Sequence, residues 1–115
     1  MTSASKNKLP PLYSELAVDL DFGEIVEMFV DEMPQRLETL QQHFESGDRE
    51  NLRRAAHQIK GAGGSYGFEE ITPFASRLES VANTETSEDE LLVTLNDLIA
   101  ICSRIRAGVP EDGKG

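Results

Sequence analysis

Between residues 48 and 66 the chain reads DRENLRRAAHQIKGAGGSY. Leu52, Ala55, Ala56, Ile59, Ala62 and Tyr66 recur at steps of three and four, the period that lines apolar side chains along one face of an α-helix. Asp48 stands where an N-cap is needed, because its carboxylate can accept from the free N–H groups of the first turn.

The pattern repeats outward from this stretch. Upstream, Phe22, Ile25, Val26, Phe29, Met33, Leu37, Leu40 and Phe44 form one stripe of a long helix, in which Pro34 removes a backbone donor and predicts a kink. Downstream, a helix from about Glu70 to Ala82 turns Ile71, Phe74, Ala75, Leu78, Val81 and Ala82 inward and carries Pro73 in its first turn. A last helix opens with Ser87 and Glu90 as a capping box and continues through Leu91, Leu95, Leu98, Ile99, Cys102 and Ile105. Breaks at Ser46 to Asp48, Gly67-Phe68 and Asn83 to Thr86 separate these segments, and no segment alternates as a strand would.

Four amphipathic helices on short connectors predict an all-α fold, an antiparallel up-down-up-down four-helix bundle, with a short helix over Pro11 to Val18 ahead of it. The 115 residues suit a single domain, placed at 11–107 between polar tails at 1–10 and 108–115.

The net charge of −10 argues against nucleic acid and anionic membranes and favours a protein partner. Cys102 is the only cysteine, so no internal disulfide forms. The N-terminus lacks an apolar signal core and no apolar run could span a bilayer, so a cytoplasmic protein is expected. Nothing in the pattern demands more than a monomer.

At about 100° per residue, His57 falls nearly opposite the apolar face of its helix and should meet solvent. Arg53 and Arg54 lie one turn earlier on that outer side, Lys60 and Gly61 one turn later, and Gly64 two turns later. Such a cationic strip is also what an ordinary solvated face looks like. The glycines add to it, since each costs about 1 kcal/mol relative to alanine inside a helix. Gly63 faces inward, where close helix packing explains it. Gly61 and Gly64 face outward, where a missing side chain lets another protein approach the imidazole, or where the helix frays.

Imidazoles titrate near neutrality, so an exposed one is largely unprotonated and nucleophilic at pH 7. It could attack phosphorus, and Lys60, with Arg53 or Arg54, would then offset the phosphoryl charge. Glu79 flanks the apolar stripe of the next helix. There it either orients His57 by accepting from Nδ1–H, leaving the Nε2 lone pair free, or is a surface residue without a role. His43 has no partner at ligand spacing and reads as surface, Cys102 reads as packed, and no metal site is expected.

The run Ala56-His57-Gln58-Ile59-Lys60-Gly61-Ala62-Gly63-Gly64-Ser65-Tyr66-Gly67-Phe68 resembles the signature of the histidine-containing phosphotransfer (HPt) domain family. That signature is a histidine, any residue, an aliphatic, a lysine and a glycine, with a second glycine six residues on. The five-segment layout extends the resemblance over nearly the whole chain.

The resemblance implies a helical bundle whose histidine, here His57, accepts a phosphoryl group from a receiver aspartate or a histidine kinase and passes it to a response-regulator receiver. The family lysine maps to Lys60, its close-approach glycine to Gly61 and the later glycine to Gly67. It further implies a phosphocarrier without kinase or hydrolase activity of its own, and no bound cofactor, with Mg2+ held by the partner receiver. Glutamate at the Glu79 position is similar to the phosphotransfer domains that begin chemotaxis-type kinases, whereas free-standing members often carry glutamine. An independent shuttle is expected from the initial methionine and the C-terminal tail, with an excised kinase domain as the alternative. Two rivals stand beside these: a helical adaptor that is never phosphorylated, and a hydrolase using His57 and Glu79 as an acid–base pair, which would need an enclosed pocket.

Overall fold

The computed structural model describes residues 9–18 and 20–108. Among them are four α-helices, α1 (Leu20–Glu45), α2 (Arg49–Ser65), α3 (Ile71–Ala82) and α4 (Glu88–Cys102), together with two-residue strands β1 (Leu12–Tyr13) and β2 (Ile105–Arg106) and a 3-10 turn at Glu15–Val18. Each helix packs on its sequence neighbour, most extensively α2 on α3, and α1 also meets α4.

The helix ends follow from local chemistry. Asp48 accepts from the Asn51 N–H at 3.1 Å and starts α2, and Ser87 accepts from the Glu90 N–H at 3.1 Å and starts α4. α2 stops in a Schellman arrangement: the Phe68 N–H donates to the Gly63 carbonyl at 2.8 Å and the Gly67 N–H to the Gly64 carbonyl at 3.3 Å. Gly67 sits at φ +85°, the left-handed conformation this cap requires and one that costs a side-chain-bearing residue about 1–2 kcal/mol. α1 runs on through Pro34.

The core joins Val26, Phe29, Met33 and Leu40 of α1 to Leu52, Ala56 and Ile59 of α2, Ile71, Ala75 and Leu78 of α3, and Leu91, Leu95 and Leu98 of α4. Phe68, read from the sequence as part of a turn, is fully buried. The Schellman cap turns the chain back on itself at this point, and the Phe68 ring stacks 5.8 Å from Phe29, which also stacks on the Tyr66 ring at 4.9 Å. Gly63 lies tightly against the start of α3, since a Cβ there would lie 3.1 Å from Ile71 Cβ.

Four expectations need correction. Phe22, Ile25 and Phe74, placed on buried stripes by periodicity, are exposed. For the first two, the 26 residues of α1 outrun the shorter helices that would cover its first turns. Ile105 is buried but not helical, because α4 ends at Cys102 and the chain turns through Ser103 into β2. A strand pairing also exists, with β1 parallel to β2 in the register Leu12 to Ile105 and Tyr13 to Arg106. Finally, residues 11–18 divide into β1 and the 3-10 turn: the Leu12 N–H is taken by the Arg104 carbonyl at 2.7 Å and the Leu16 N–H by Ser14 Oγ at 2.9 Å.

This arm is seated on the end of α2. The Ser14 hydroxyl donates to the Tyr66 carbonyl, and the Glu15 N–H to the Gly67 carbonyl at 3.4 Å. The tails expected at 1–10 and 108–115 lie largely outside the described residues. No described helix is long and apolar enough to cross a membrane.

Candidate functional site

His57 occupies the third turn of α2, one residue past the buried Ala56, and its side chain is 63% exposed. Glu79 projects from the last half of α3 toward α2. Its Oε2 lies 2.9 Å from His57 Nδ1 and its Oε1 accepts from Lys60 Nζ at 2.8 Å. One carboxylate thus joins the imidazole and the ammonium, one oxygen to each.

The Lys60 hydrogen bond is the chief reason the Glu79 carboxyl is held below its ordinary value of 4.5; His57 adds to the effect, and partial loss of solvent opposes it. Glu79 is therefore ionised at neutral pH. An anion at Nδ1 favours the tautomer with its proton on Nδ1, which leaves the Nε2 lone pair facing outward. No described residue hydrogen-bonds to Nε2, and the imidazole stands in the open rather than in a pocket such as the acid–base hydrolase would need.

Gly61 and Gly64 are exposed beside it. A Cβ at Gly61 would meet nothing within 4 Å, and one at Gly64 only Thr72 Oγ1 at 3.8 Å, so neither glycine is demanded by packing inside this chain.

Arg53 and Arg54 are on the same surface but are not drawn to the imidazole. Arg53 Nη2 lies 2.8 Å and Arg54 Nε 3.3 Å from Glu50 Oε2. Glu50 was not among the residues singled out from the sequence, although its spacing of three and four residues to the two arginines is the spacing of helical ion pairs. Arg53 also feels the field of Glu79, which places it at the margin of the cluster.

Cys102 is buried, and loss of solvent pushes its thiol up to about 12, so it is packed and unreactive at neutral pH. Among the described residues no group of three or more His, Cys, Asp or Glu side chains is placed to hold a metal ion.

The family model of the Hpt domain matches residues 24–108, well over half of the chain. The chain belongs to the Hpt domain family. Comparison with curated proteins and with solved structures returned no match. Hpt domains are phosphocarrier modules of phosphorelays that interact with receiver domains and kinases. The matched span contains all four sequence elements of the cluster, His57, Lys60, Gly61 and Glu79, and the helices that carry them.

Proposed function

We propose that this Hpt domain carries a phosphoryl group on Nε2 of His57, taking it from a receiver aspartate or a histidine kinase and delivering it to a response-regulator receiver. The observation that carries this reading is the exposed imidazole whose Nδ1 is held by Glu79 at 2.9 Å while Nε2 has no partner among the described residues.

In the forward step the Nε2 lone pair forms a bond to phosphorus as the P–O bond to the receiver aspartate breaks, and the aspartate leaves as a carboxylate. The ring becomes positively charged and keeps its proton on Nδ1, where Glu79 offsets the charge. Lys60 is close enough to Glu79 to exchange that carboxylate for the incoming phosphoryl oxygens. Gly61 and Gly64 leave room for the receiver, which brings the aspartate and the Mg2+ that the chemistry needs. Return transfer runs the same bonds backwards.

The helical arrangement supports an up-down-up-down bundle, since sequence neighbours pack together and α1 closes on α4 over connectors of a few residues. Glutamate at position 79 favours a second reading of the chain's context, as the phosphotransfer domain of a chemotaxis-type kinase, by its resemblance to such domains. The site works identically as an independent cytoplasmic monomer.

The test is direct. Incubation with a radiolabelled, phosphorylated receiver should place acid-labile, base-stable phosphate on His57, and His57→Gln should abolish it. Labelling that survives His57→Gln would refute the assignment, and a wild-type chain that takes no label from any receiver or kinase would favour a non-phosphorylated adaptor.

A further inference from the structure

Among the described residues, the cations that flank His57, namely Lys60, Arg53 and Arg54, are already held by carboxylates in the unphosphorylated chain. Lys60 is held by Glu79, through the oxygen that does not face His57. Arg53 and Arg54 are held by Glu50, through a single oxygen, Oε2. That oxygen belongs to a residue in the first turn of α2, two turns before His57 on the same outer side of the helix. The Arg53 bond keeps the Glu50 carboxyl below its ordinary value, so it remains charged at neutral pH.

We infer that Glu50 is a positioning residue that competes with the phosphoryl group for Arg53 and Arg54 and so limits how strongly this site retains phosphate; the inference rests on His57 being the phosphoacceptor. A phosphohistidine at position 57 places close to two negative charges one turn from both arginines. Free arginines would clamp those oxygens and turn a carrier into a trap. With Glu50 present, each arginine must leave a carboxylate partner to reach the phosphoryl group, and the net gain of pairing falls accordingly. Glu50 itself is 58% exposed in its side chain, so these bonds are of the screened, readily exchanged kind.

The experiment charges the wild-type chain and Glu50→Gln with phosphoramidate. Nε2 of His57 forms the new N–P bond, the P–N bond of the donor breaks and ammonia leaves, so no receiver is required. The second ionisation of the phosphoryl group is then titrated by 31P NMR, because neighbouring cations lower it. Circular dichroism checks that the variant is folded.

In Glu50→Gln the released arginines should lower that ionisation by roughly 0.2 to 0.7 unit at low salt, and 0.5 M NaCl should shrink the shift. The same substitution in an Arg53→Gln/Arg54→Gln background should produce a clearly smaller shift, since only the direct field of Glu50 is left. A wild-type chain that phosphoramidate does not label at His57 removes the phosphotransfer reading and this inference with it. A labelled wild type whose Glu50→Gln shift is absent, or is equally large in the double-arginine background, overturns the role of Glu50 and leaves the phosphotransfer reading intact.

Discussion

Replacing Gly61 with alanine should make this protein more stable and a poorer phosphotransfer partner at once. Alanine gains about 1 kcal/mol over glycine in a helix interior, and somewhat less near an end. Gly61 is four residues from the last residue of α2, so about 0.5–1 kcal/mol is expected. No steric term opposes the gain, because a Cβ at Gly61 would meet nothing within 4 Å. For a domain of this size the midpoint of thermal unfolding, followed by circular dichroism, should rise by roughly 2–8 °C. The rate of label transfer from a phosphorylated receiver should fall, and fall further for Gly61→Leu, because those side chains stand where the partner has to come. Gly63→Ala supplies the contrast: the same helix gain meets an Ile71 methyl at 3.2 Å and an overpacking cost of about 1–3 kcal/mol, so it should be neutral to destabilising. A lowered midpoint for Gly61→Ala would refute the packing argument, and unchanged transfer by both Gly61 variants would refute the claim that the glycine exists for a partner.

Gly67→Ala should destabilise by more than 1 kcal/mol in urea unfolding, because it combines a positive φ with a Cβ driven into Ser14 Oγ, and Ser14→Ala should recover part of that loss. Phe68→Ala should cost about 3–5 kcal/mol, whereas Phe74→Ala, at the surface, should cost far less by the same measurement. Glu79 has a folded-state ionisation below its ordinary 4.5, so its contribution to stability is present above about pH 4.5 and is lost as the pH falls through the lower folded value. The stability gap between wild type and Glu79→Gln should therefore close on acidification below pH 4.5, and a gap that widens instead would count against the ion pairs. Cys102 should resist a disulfide-exchange reagent at pH 8 until the protein is unfolded by urea.

The helices were legible in their apolar period, and α2 and α4 announce themselves a second time in their caps. Asp48 and Ser87 are capping side chains whose partners lie three residues on, so short-range chemistry alone fixes where α2 and α4 begin. The outward direction of His57 was legible for the same reason: a helical wheel needs no tertiary information. Periodicity does not reveal how far the neighbouring helices extend, which is why Phe22 and Ile25 fall on the right stripe and still remain exposed. Nor does it disclose contacts between residues far apart in the chain, such as Leu12 with Arg104 or Ser14 with Tyr66, which break the expected helix at 11–18. At the site, Glu79 could be nominated but its double engagement with His57 and Lys60 could not, since that depends on how α3 is set against α2. The Glu50 pairs were within reach of simple spacing. They were obscured because attention to cations that could serve a phosphoryl group passed over the anion that already holds them.

The parallel contact of β1 with β2 has a mechanical consequence. Leu12–Tyr13 and Ile105–Arg106 run in the same direction, so a pull applied to the two ends of the folded chain drags these strands past one another lengthwise instead of peeling them open one bond at a time. The Arg104 side chain, which donates to the Pro10 carbonyl at 2.9 Å, adds a further tether across the same seam. Tension arriving through a linker on either side would be borne first by this small clasp, and the helices that hold His57 and Glu79 in register would feel it only after the clasp had slipped.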